Sequence, residues 1–176
     1  MASIQTLDDA DRRAVARWAT ACAERVVPLF AANEAAVCDI RNAVERTRAY
    51  SAGESTAAEE ISKRMVAVKA AGAANTPAGA AAGRSVAQAS AVAHMGAHAF
   101  GAAAYAVKAV SLAYVDRPDA ADEEILWQLA DLSERERAIL RLLPLVGTDS
   151  SGPLSAGLLS RGIVGSTIRE IQARLG

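Results

Sequence analysis

The sequence predicts an all-α protein, a multi-helix bundle or a short solenoid of antiparallel helix hairpins around a central Ala/Gly-rich helix. Three observations carry this. Hydrophobic residues make up 52% of the 176-residue chain and aromatic residues only 4%, so alanine, the best helix former, supplies much of the apolar content. Apolar positions recur at three- and four-residue spacing, and no segment shows the two-residue alternation of a strand. Helix start signals also recur, as Thr76-Pro77 and as Ser/Thr-x-x-Glu at Thr56/Glu59 and Ser133/Glu136.

Taken in order, the first helix is expected from Asp9 to about Ala32, with Val15, Trp18, Ala19, Cys22, Val26, Leu29 and Phe30 on one face. Pro28 lacks a backbone donor, so a kink or early end is expected there. A second helix runs from Ala36 to Tyr50 on the stripe Val37, Ile40, Val44 and Thr47, and Gly53 stops it. A third starts at the Thr56/Glu59 capping box, with Ile61, Met65 and Val68 as its buried row, and closes at Gly72 and Asn75. Thr76-Pro77 opens the central helix, which reaches about Tyr114 if continuous. That would be about 57 Å, long for one domain, so a kink or break is expected between His94 and Gly101. Small residues Ala93, Ala97 and Gly101 along it permit close approach of a neighbour. Asp119 is placed to cap a helix through Leu132. The Ser133/Glu136 box opens another, with Ile139, Leu140 and Leu143, that ends near Pro144. A polar loop from Gly147 to Pro153 precedes a short helix at 154–160 and a last one at 166–175. Residues 1–146 therefore read as a helical core domain, and 147–176 as a loop and C-terminal helical tail packed on or appended to it.

Charge excludes some partners. The formal net charge is -1, which gives no basic field for nucleic acid or an anionic membrane. Ser85 to Val107 carries no formal charge, but its Ala, Gly, Ser and His content argues for a buried helix over a membrane span. Cys22 and Cys38 form no CxxC and no secretory leader opens the chain, so free thiols and a cytoplasmic location are expected. An apolar stripe left over after folding would favour a homo-oligomer.

His94 and His98, four residues apart, would share one face of a continuous helix and resemble two-thirds of a metal site. Position 95 is Met, not the glutamate of an HExxH motif, and the chain has no third histidine. A divalent metal on this pair is thus set against histidines packed at a helix contact, and no other cofactor is indicated. Gly79 and Gly83 read as helix packing, not as a phosphate loop. Asp149, Ser150 and Ser151 read as a polar connector before a flexible active-site edge. No nucleophile and base can be paired by spacing, so no catalytic residue is named. Arg12, Arg13 and Arg17 offer either a solvated face or contacts to an acidic partner. Trp18, Tyr50 and Trp127 are the aromatic candidates for partner anchors, set against a core role. Leu132 to Leu143 (LSERERAILRLL) and the tail TIREIQARLG are similar to the two ends of the DNA-binding domain of LuxR-like regulators. The scaffold and recognition helices that belong between them are replaced by Pro144 and the polar loop.

One pattern is more specific. It comprises Arg13-x4-Trp18-Ala19-x2-Cys22-Ala23-x-Arg25-Val26-x2-Leu29-Phe30, then Arg41-x-Ala43, Gly53-Glu54, and Ala93-His94-x3-His98-Ala99-x-Gly101-Ala102-Ala103-x-Tyr105-Ala106, with Trp127-Gln128 further on. These residues resemble the helical immunity-protein-five-like family, frequent in actinobacteria. Ile40 departs from the family's pattern, which places a proline before the arginine corresponding to Arg41, and the segment after Pro144 has no counterpart in it. The resemblance implies a non-enzymatic immunity protein of a toxin–antitoxin pair that binds and neutralises a cognate toxin, with Arg13, Arg17, Trp18 and Trp127 as candidate contacts. The alternatives are a metal- or ligand-binding helical protein using His94 and His98, with or without enzymatic activity, and a transcriptional regulator acting through the C-terminal tail.

Overall fold

A computed structural model describes residues 3–176. Eight α-helices form the fold, and the described residues contain no strand, only an isolated bridge between Asp149 and Ser155. They are α1 (Asp9–Glu24), α2 (Glu34–Ser51), α3 (Ala57–Ala71), α4 (Pro77–Ala91), α5 (His98–Ala113), α6 (Ala120–Asp131), α7 (Glu134–Leu140) and α8 (Gly162–Arg174).

Local chemistry sets most of the boundaries. The side chains of Asp8, Asn33, Thr56, Thr76 and Ser133 each accept a bond from a backbone N–H in the first turn that follows, satisfying donors that a helix start leaves free. Both predicted capping boxes form. Gly53, at φ +83°, takes the left-handed position after α2 and donates to Tyr50 O. The early end expected near Pro28 is real: α1 stops at Glu24 and Pro28 lies in a 3-10 turn, Val27–Leu29. Asp119 departs from expectation, since it precedes α6 but its side chain makes no cap bond.

The central helix is a hairpin. α4 and α5 are separated by a turn at 92–97, and they run antiparallel, because Ser85 Oγ donates to Ala102 O while Gln88 meets His98. The break begins just before the expected interval. The turn is held from far away in sequence: the backbone N–H groups of Gly96 and Ala97 donate to the carbonyls of Thr6 and Gln5, just ahead of α5, which has no side-chain cap. α4 packs on α1, α2 and α3, and α5 on α1, α6 and α8. Such crossings between distant elements make this a bundle, since in a solenoid each unit touches only its neighbours.

The core of this bundle is built on small residues. At Gly83 a Cβ would stand 2.8 Å from Ala71 Cβ, so α3 and α4 approach closely through Ala71, and the packing reading of Gly79 and Gly83 holds. That approach reverses the predicted face of α3. Glu60, Ala67, Ala70 and Ala71 are buried, whereas Met65 and Val68 are exposed and Ile61 only partly covered; a row of long side chains has no room between the two helices.

The last helix begins four residues earlier than expected, and only a 3-10 turn, Leu158–Ser160, forms at 154–160. Val164, Ile168 and Ile171 of α8 join the same core cluster as α1 and α5. Between α7 and α8 lie turns, not the two helices that a DNA-reading domain of the LuxR type needs. No helix among the described residues is long and apolar enough to cross a membrane.

Candidate partner-binding surface

The histidines do not share a helix face. His94 is exposed in the turn at 92–97, while His98 is the first residue of α5 and partly buried. The correction follows from the break in the central helix. His98 Nδ1 lies 2.7 Å from Gln88 Oε1, which places the proton on Nδ1 and fixes the tautomer. Burial, helped by His94 nearby, pulls the His98 pKa down to about 4, so the ring is neutral near pH 7. The described residues contain no group of three His, Cys, Asp or Glu side chains able to hold a metal. Cys22 and Cys38 are both free thiols, the first buried and the second exposed; burial pushes the Cys22 thiol well up.

Of the four partner candidates, three are engaged inside the molecule. Arg13 donates to Asp9 at 2.7 Å and to the carbonyls of Tyr50 and Ser55, with its guanidinium 4.5 Å from the Tyr50 ring centroid. Arg17 clamps Glu136 with two bonds of 2.5 and 2.6 Å and also reaches Asp131 at 2.9 Å. Burial opposes ionisation of Glu136, but Arg17 and the Ser133 cap outweigh it and hold the carboxyl below its usual range. Trp18 is fully buried and donates from Nε1 to Gln128 O at 2.8 Å. Among the described residues Trp127 makes no side-chain hydrogen bond and is only partly buried, with the Arg25 guanidinium 3.9 Å from its ring centroid.

Arg25 leads to a surface that sequence reasoning did not assemble. Its Nε lies 3.0 Å from both carboxylate oxygens of the buried Glu124. Beside it, Arg117 pairs with Glu123 at 2.6 Å and lies 5.9 Å from the Tyr114 ring centroid. Between these two assemblies opens a cleft of about 390 Å³ at the Val27–Leu29 turn, the end of α5 and the start of α6. Pro28 and Leu29 form one wall and Val110 and Tyr114 another. Arginine-on-aromatic pairs bordering a cleft with both apolar and charged walls are the composition of protein-binding hot spots. The signal present in the sequence was Tyr114, Arg117 and Trp127, but their convergence depends on the α5–α6 turn.

The profile of the family described as Imm-5 like putative immunity protein matches residues 5–135. The chain belongs to this family. Searches of curated proteins and of solved structures gave no match.

The family region spans α1 to α6 and the first residues of α7, and it contains every residue of the cleft. It also contains Gln5, which ties the C-terminal segment to it. Fully buried, Gln5 donates from Nε2 to Asp149 Oδ2 at 2.6 Å and to Ser151 O at 2.8 Å, and its Oε1 accepts from Leu154 N at 2.9 Å. Asp149 is thereby committed to a structural contact, as the connector reading requires, and its second oxygen accepts from Ser150 N.

Proposed function

We propose that this chain is an immunity-type inhibitor that binds a cognate protein toxin in the cytoplasm and neutralises it by covering its working surface. Membership of the immunity family carries the reading. The disposition of polar side chains is consistent with occlusion, not chemistry: His98 is partly buried and bonded to Gln88, Cys22 is buried, and Arg13 and Arg17 hold the bundle together. What the surface offers instead is pre-set arginines and aromatics at the cleft. Tight complexes of this kind bury about 1,600 Å² around a few such anchors.

Co-expression tests the proposal. Cells carrying the product of the adjoining gene should lose viability, and this chain should restore it while co-purifying with that product as a stoichiometric complex. A product that is harmless, or that kills equally in the presence of this chain, would remove the reading.

A further inference from the structure

Resting on the inhibitor reading above, we infer that the cleft at the α5–α6 end is the docking surface for the toxin, and that the toxin face it accepts is basic. Two observations place the surface here. Four of the eleven exposed large apolar side chains, Leu112, Tyr114, Val115 and Leu126, fall within residues 112–126, and Val115 is 75% exposed. Exposed apolar side chains concentrated beside a cleft mark interaction sites. The arginines that border the cleft are already fixed, Arg25 between Glu124 and Trp127, Arg117 between Glu123 and Tyr114, so little side-chain freedom is lost when a partner arrives.

Charge identifies the occupant. Arg25 and Arg117 are each neutralised by a glutamate. Asp116, Asp119 and Asp122 are exposed and enter no ion pair among the described residues. Asp122 complements the positive start of α6, but Asp116 lies ahead of the helix, and Asp119, at the cap position, caps nothing. The nearest cation along α5, Lys108, sits 6.0 Å from the Tyr105 ring centroid, two turns before Val115. Residues 116–124, four of which line the cleft, therefore carry an excess of carboxylates over the one arginine, in a chain whose net charge is only -1. An acidic segment that also exposes apolar side chains is complementary to a face bearing Lys and Arg beside an apolar centre, and it draws such a partner in at low salt.

Hydrogen exchange of the wild-type chain with the purified product of the adjoining gene tests this without any mutation. Slowed exchange is expected at 110–126 and at the Val27–Leu29 turn, and protection confined to other elements would overturn the assignment. In parallel, the double variants Asp119→Lys/Asp122→Lys and Tyr114→Ala/Val115→Ser should each weaken binding about tenfold or more, the first also flattening the dependence on salt. Leu142→Ser/Leu145→Ser, altering apolar residues exposed elsewhere, should bind as wild type. A charge-reversed chain that binds as tightly as wild type sinks the basic-face inference while leaving the inhibitor reading intact; failure of the wild type to bind at all sinks the inhibitor reading itself.

Discussion

At the scale of single residues, space and burial decide more than residue type. Gly83 meets Ala71 so closely that an added methyl must move backbone: Gly83→Ala should lower stability by about 1–3 kcal/mol, read by urea denaturation. His98 makes a second case. Its folded pKa of about 4 lies below the usual 6.5, so the unfolded chain binds the extra proton between these values. Its contribution is complete above pH 6.5, falls as pH drops towards 4 and changes no further below that. His98→Asn should flatten the acid limb of stability against pH in this window, and nuclear magnetic resonance should show the wild-type ring unprotonated at pH 5.5. Of these two residues, Gly83 as a packing glycine was legible from its spacing to Gly79. The environment of His98 was not, because Gln88 reaches it only once α4 and α5 fold back on each other.

Among the elements, helices whose caps lie adjacent in sequence were legible at their starts, whereas the start of α5 was legible only as a break somewhere within a long run. Thr56, Thr76 and Ser133 announce α3, α4 and α7 through side chains adjacent in sequence. α5 carries no start signal of its own: the turn before it is held by Thr6 and Gln5, whose carbonyls accept from Gly96 and Ala97, so only the excess length of the Ala/Gly run pointed to a break. α3 shows the complementary failure: its larger apolar residues form a helical stripe, yet the alanine face is the one that α4 can approach. Arg17 of α1 is fastened to Glu136 of α7 and to Asp131 at the end of α6. Because Arg17 is 44% exposed, solvent screens part of the pair, and Arg17→Ala should cost about 1–2 kcal/mol. Glu136 titrates low when folded, so the stability it contributes is present above its unfolded pKa and is lost as pH falls through the folded value. Arg17→Ala should therefore also weaken the pH dependence of stability below pH 5.

For the whole molecule, the family region and the C-terminal segment behave as one packed body. α8 buries Ile168 and Ile171 in the common core, and Gln5 holds the 149–154 loop. Gln5→Ala would leave the Leu154 N–H without its partner and should cost about 1–3 kcal/mol, with exchange at Leu154 rising before exchange in the core helices. The fold class was legible in composition and period. The cleft proposed for docking was not, because it is assembled from the Val27–Leu29 turn, the end of α5 and the start of α6, which meet only in the folded chain. The proposed inhibition depends on a complex, and titration calorimetry of the purified chain with the product of the adjoining gene tests that most directly. The account predicts saturable one-to-one binding together with loss of toxicity; heat no greater than dilution, with toxicity unchanged, would contradict it.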